Sequence, residues 1–224
     1  MKLIGILHGI AAYREAQEEY SPPNGVDPRD QIELVKTAYQ FQVFPTLMPG
    51  SPPPHPLNFI SGKYSSGENI FNINQIMMVL EGDIVMAPDT DKADLVLENL
   101  ISILDENLGY RLKTANKTKS YVSNVVVEFD KGLEEHLHVI ARMEEEINAS
   151  RPGKPSFKIK RIGFGGENSA PLTDPLLAVE ATEFLIERRA SRPFSDNRYF
   201  SSAPLRTADH IQALERIEAI FRGD

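Results

Sequence analysis

The chain has 224 residues, 41% hydrophobic and 25% charged, with a net charge of −8 and no cysteine. It is long enough to bury a core without disulfides or a structural metal, and the missing thiols exclude a disulfide framework, a cysteine nucleophile and a thiolate metal centre. No stretch approaches the about 18 apolar residues of a membrane span, and a reducing, cytoplasmic setting is the expected one.

The start, MKLIGILHGIAAY, has one lysine and then an apolar run from Leu3 to Ala12. His8 interrupts the run and charge returns at Arg14, which argues against a secretion signal. Ile6, Ile10 and Tyr13 can share one helical face, so the spacing predicts a helix over Gly5–Tyr20. YSPPNGVDPRD breaks it with three prolines and an Asn-Gly turn. Asp30 is placed to cap a short helix through Lys36, making residues 1–36 a helical segment. Residues 38–45, AYQFQVFP, alternate aromatic and β-branched residues with glutamine and predict a strand. The next twelve residues, 45–56, hold six prolines, which fix φ and remove donors. They form a stiff loop or a ligand for an aromatic groove.

From Leu57 to Pro88 the pattern predicts successive strands, turning at Ser-Ser-Gly and Glu-Gly. Ile70, Asn72 and Asn74 fall on one side, Phe71, Ile73 and Gln75 on the other. IMMVL is apolar throughout, as in a buried central strand. A helix over Asp91–Asn107 follows, capped by Thr90 and stopped by Gly109, with Leu97, Leu100, Ile101 and Leu104 buried. SYVSNVVVEFD predicts a strand. Asp130 caps a second helix with Leu133, Leu137, Ile140 and Ile147 on one face. Residues 156–166 and 180–189 predict two more strands, the first with Phe157, Ile159 and Ile162 alternating. Thr207 caps a last helix that buries Ile211, Leu214, Ile217 and Ile220. No internal repeat of fixed period is visible. The order predicts an α+β fold in one domain, residues 1–224: a largely antiparallel sheet, a meander and then β-α-β-α-β-β, with helices on one face and a C-terminal helix.

No motif carries a chemistry strongly. Asp89, Asp91 and Asp94 lie close together, but the calcium-loop pattern fails for want of a central glycine and a twelfth-position glutamate. Acids in a first helical turn already complement the helix dipole, so no metal and no cofactor is expected. His136 and His138 stand two residues apart and point away from each other on a helix. His8 reads as a packed histidine and His55 as a solvent-facing one. RIGFGGENS fits neither the phosphate-loop pattern nor the dinucleotide pattern, in which Ser169 would have to be glycine.

Charge is uneven. Residues 1–150 hold 12 basic and 22 acidic side chains, whereas residues 151–224 hold 12 and 10. Lys158 and Lys160 alternate on a strand and Arg161 follows, a possible anion-binding side and the only opening for nucleic acid. SRPFSDNRYFSSAPLRTADH, residues 191–210, is rich in the aromatics and arginines of binding hot spots. Arg192, Phe194, Asn197, Arg198, Tyr199, Phe200 and Arg206 are therefore the expected interface. Ser201 and His210 are its only candidates for a nucleophile and base, and no Gly-x-Ser-x-Gly elbow supports them. The expected function is a non-enzymatic interaction protein, a homo-oligomer or subunit of an assembly whose partner is itself or another protein. The alternatives are a hydrolase or phosphoryl-transfer enzyme using the Ser191–His210 stretch, and a nucleic-acid-associated factor using the basic strand.

Overall fold

The computed structural model describes residues 1–14, 21–22, 24–48, 54–80, 82–110, 118–132, 138–149, 157–165, 183–189 and 192–222. In chain order the elements are β1 (Lys2–Arg14), α1 (Pro28–Tyr39), β2 (Leu57–Ser66), β3 (Asn69–Val79), β4 (Gly82–Ala87), α2 (Thr90–Leu108), β5 (Thr118–Glu128), α3 (His138–Ala149), β6 (Arg161–Phe164), β7 (Phe184–Arg188), β8 (Arg198–Ala203) and α4 (Thr207–Arg222). The strands form one eight-stranded sheet in the order β2-β3-β4-β1-β5-β8-β7-β6. Every pairing is antiparallel. The α+β class with a C-terminal helix is as the pattern predicts.

The amino-terminal segment is not. Residues 2–14 form the central strand rather than a helix, paired with β4 on one side and β5 on the other. A strand that is apolar along its length shows no period of two, so a helical spacing can be picked out of it. Gly5 and Gly9 are the contrary signal, since glycine weakens a helix interior. Gly9 has a further use: a Cβ there would lie 2.1 Å from the Thr90 nitrogen. Only a bare backbone lets α2 start against β1. Residues 38–45 also depart from expectation. Ala38 and Tyr39 end α1, Gln40 turns left-handed with φ 52°, and Val43 makes only an isolated bridge to Ile60.

The chain is two copies of one β-α-β-β-β-α unit, which the sequence shows no sign of. The β1–β4 ladder runs from Gly9↔Ala87 to Arg14↔Gly82. The β5–β8 ladder runs from Ser123↔Ala203 to Glu128↔Arg198, with the same number of rungs. Both outer strands end in Ala-Pro, Ala87-Pro88 and Ala203-Pro204, and both are followed by a helix that begins with threonine. The halves join through β1 and β5, where Gly9 faces Ser123. A pseudo-twofold axis therefore passes between these strands.

Two apolar clusters fill the helical face, one for each half. The larger packs α1 and α2 on β1–β4, around Tyr13, Val35, Phe59, Ile76, Val85, Leu97, Leu100 and Leu104. The smaller packs α4 on Val125, Val127, Ile186 and Tyr199 through Leu214. A third cluster, with Ala12, Ile84 and Val122, lies on the opposite face. α2 keeps the predicted stripe and its Gly109 stop, with φ 71°. In α4, Leu214 is buried, but Ile220 is 70% exposed and Ile147 in α3 is 47% exposed, against expectation. Leu133, Leu137 and the Ile140 side chain lie outside what is described.

One core position opposes the packing. Asp83 is 1% exposed, and neither of its carboxyl oxygens has a hydrogen-bond partner among the described residues. Burial raises its pKa from an ordinary 3.8 to about 7, because an apolar setting disfavours the charged form. Since the folded pKa is the higher one, the carboxyl folds protonated without penalty below about pH 4. Stability then falls as pH rises to about 7, by about 4 kcal/mol in total. Between pH 5 and pH 7.5, urea titrations should show the wild type losing about 2–3 kcal/mol relative to Asp83→Asn, which keeps every other titrating group. A variant with the same pH slope would refute the assignment. Leu100→Ala, at a fully buried site, should cost about 2–5 kcal/mol. A loss under about 0.5 kcal/mol, the scale of surface changes, would mean that this helix face is not core.

Candidate functional site

Of the residues that sequence reasoning put forward, Thr90, Thr207, Arg206, Asp91 and Asp94 meet where the two units join. Thr90 and Thr207 open α2 and α4 and bond reciprocally across the pseudo-twofold axis. The Thr207 backbone N–H donates to Thr90 Oγ1 at 2.8 Å, and the Thr90 N–H donates to Thr207 Oγ1 at 3.2 Å. The first N–H groups of a helix have no partner in the helix itself. Here each half supplies the hydroxyl that satisfies the other half's helix. Thr90 is thus not the N-cap of its own helix. That position belongs to Asp89, which accepts from the Lys92 N–H at 2.8 Å.

Ser201 and His210 do come together. Their Oγ and Nε2 lie 2.9 Å apart, and both residues are 0% exposed. The β8 register places Ser201 where β4 has Val85, and three residues into the helix His210 stands where α2 has Ala93. The pair is thus a polar replacement for an apolar packing contact. Ser201 Oγ also donates to the Leu185 carbonyl at 2.6 Å, and the His210 ring meets Phe184 edge-on at 5.4 Å between centroids. Burial pushes His210 down to about 4, partly offset by the backbone of Ser123. A neutral ring could in principle act as a base. However, a hydroxyl that donates to a carbonyl and is sealed from solvent offers no surface to a substrate.

Two of the three arginines predicted to seek another chain, Arg198 and Arg206, are held by their own. Arg206 pairs with Asp94 at 2.9 Å and Asp91 at 3.1 Å, donates to the Tyr121 hydroxyl at 2.6 Å and lies over that ring at 4.2 Å. Asp94 also takes the Lys119 ammonium at 2.6 Å. These bonds hold its pKa below the usual carboxylate range against the opposing effect of burial. Asp89, Asp91 and Asp94 are thus engaged with a helix start and with cations. Arg198 pairs with Glu128 at 2.9 Å. The basic stretch is neutralised in the same way. Lys158 meets Glu144 at 3.2 Å, Lys160 meets Glu187 at 3.1 Å, and Arg161 pairs with Glu183.

Of the expected interface, Tyr199 is interior. It is 0% exposed and packs on Phe129 at 5.2 Å. An aromatic in a short polar stretch does not disclose whether its strand turns it inward, and β8 turns this one onto the core. Asn197 takes the left-handed conformation that ends a 3-10 turn, with φ 47°. Phe200 is half-buried, whereas Arg192 and Phe194 are exposed, Phe194 at 46%. His8 is half-buried with Nε2 3.0 Å from Asn124 Nδ2, and His55 is exposed. His136, the His138 side chain, Ser169 and residues 49–53 of the proline tract lie outside the described residues.

Sequence reasoning missed the first half of β1. Its β4 partner reaches only Gly9–Arg14, so residues 2–8 have no ladder partner on that side among the described residues. Leu3, Ile4, Ile6 and Leu7 are 37–45% exposed in the middle of the sheet. Two irregularities, between Leu3 and Gly5 and between Ile6 and His8, break the pleat there and turn apolar side chains to solvent on both flanks. The signal was present as an apolar run, but a helical reading hid its open edge.

A fluorophosphonate probe should leave Ser201 unmodified in the folded chain by intact-mass spectrometry, and labelling there would restore the hydrolase reading. Because the folded pKa of His210 lies below its ordinary 6.5, stability should be full above about pH 6.5 and fall by about 3 kcal/mol as pH drops to about 4. Denaturant midpoints of Asp83→Asn across that window, where Asp83 no longer offsets the change, test this. Compared with known proteins, the chain matches no protein-family model and no curated protein.

Proposed function

We propose that this chain is a non-enzymatic interaction protein that self-associates through the open edge of β1. The observation that carries this reading is the exposed apolar stretch Leu3–Leu7 beside a backbone edge that has no ladder partner among the described residues. Such an edge presents free N–H and C=O groups and is a template for another strand. A second copy suits it because an antiparallel pairing of one edge with itself needs only a twofold axis. β1 already makes this kind of pairing with β5 inside the chain. Residues 2–8 contain one lysine and no acid, so this stretch is spared the like-charge repulsion expected between two chains of net charge −8.

Of the earlier expected interface, Arg198 lies two strands from Lys2, across β5 and so on the side of β1 away from the open edge. The ion pairs that neutralise Lys158, Lys160 and Arg161 weaken the nucleic-acid reading, and the burial of Ser201 and His210 weakens the enzymatic one.

Sedimentation at about 100 μM chain should give a dimer whose mass falls on dilution, as mass action requires. Ile4→Lys combined with Leu7→Lys should give a monomer with an unchanged circular-dichroism spectrum. A wild type that is monomeric at that concentration, or a lysine variant that still dimerises, would exclude the β1 edge.

A further inference from the structure

The geometry points to a second site: a cavity at the start of α1 that takes a small, uncharged ring bearing an amide edge. The cavity has a volume of about 220 Å³ and lies at the end of the first unit, where α1 and β2 begin and α2 has just ended. Val26, Pro28 and Leu57 give it apolar walls, and Gln31, His55 and Tyr110 give it polar ones. It is smaller than the roughly 300–1,000 Å³ of drug-sized sites, so its ligand is a single ring.

Gln31 determines the chemistry. It is 4% exposed, and a buried amide ordinarily has its donors and acceptor satisfied. Among the described residues its side chain makes one hydrogen bond, from Nε2 to the Met78 sulfur at 3.6 Å. A thioether is a weak acceptor. Its carbonyl oxygen and second N–H therefore stand unpaired in the wall of a cavity. Together they form a donor–acceptor edge that matches the N–H and C=O of a lactam or similar ring amide.

Charge favours no other ligand class. None of the described residues that line the cavity is Lys, Arg, Asp or Glu, so among them neither an ammonium nor a carboxylate finds a counter-ion. The start of α1 supplies no anion site either. Pro28 has no N–H, the Arg29 N–H is taken by the Asp27 side chain, and the Asp30 and Gln31 N–H groups go to the Asp27 carbonyl. The donors that would hold an anion at a helix start are used.

The probe is 2-pyridone, followed by protein NMR on the full chain. It should shift resonances of Gln31, His55 and Tyr110 with a millimolar affinity, as expected of a ligand this small. Its N-methyl derivative, which lacks the donor, should bind about tenfold more weakly, and so should the Gln31→Met variant, a loss of about 1.4 kcal/mol. Benzoate should not bind. If Gln31→Met fails to fold, the comparison of 2-pyridone with its N-methyl derivative on wild type decides alone. Equal binding of those two, stronger binding of benzoate, or no shift at any cavity residue up to roughly 20 mM, an affinity too weak for a specific ring site, would each overturn the proposal. None of these outcomes depends on the oligomeric state.

Discussion

Two threonine hydroxyls hold the centre of this molecule. Each satisfies a backbone N–H at the start of the other unit's helix, in a fully buried setting where an unpaired donor would cost about 1–3 kcal/mol. This contact needs α2 to lie directly on β1, which needs Gly9, and it needs β1 and β5 to be neighbours. The sheet order, the pseudo-twofold axis and the placing of Arg206 against Asp91 and Asp94 all follow from it.

Within this frame the two units have diverged by exchanging volume and polarity between matched positions. Where the first has Tyr13 opposite Asp83, the second has Val127 opposite Tyr199, so the large ring has crossed strands. Where the first has Val85 and Ala93, the second has Ser201 and His210. Both solutions fill the interior, as close packing requires. The two odd polar groups that result, Asp83 and His210, titrate in opposite directions. Acid relieves the first and penalises the second, so their effects on stability partly cancel between pH 4 and 7.

How much of this could be read beforehand depended on how one-sided each element is. α2 was legible because one stripe, Leu97 to Leu104, is buried and the rest is not. β2 to β4 were legible because their turns carry glycine and their faces alternate. β1 was not, because it is apolar along its length, in its covered second half and its exposed first half alike, and so shows no period of two. The structural repeat was hidden because matched positions share packing roles rather than residue types. The site fared worse than the fold. Arginines and aromatics mark a contact, but nothing local shows whether the contact is with the same chain. Arg198 and Arg206 found their carboxylates on β5 and α2, far away in sequence.

The central position of the first strand also bears on how the chain is made. During synthesis β1 emerges first, yet its β4 partner begins at Gly82 and its β5 partner at Thr118. An apolar strand must therefore wait, with both edges bare until β4 has emerged and with its β5 edge bare while more than a hundred residues leave the ribosome. Long-range antiparallel pairing of this sort is slow to form, and exposed strand edges invite aggregation in the interval. The nascent chain should depend on holding chaperones more than its modest length suggests.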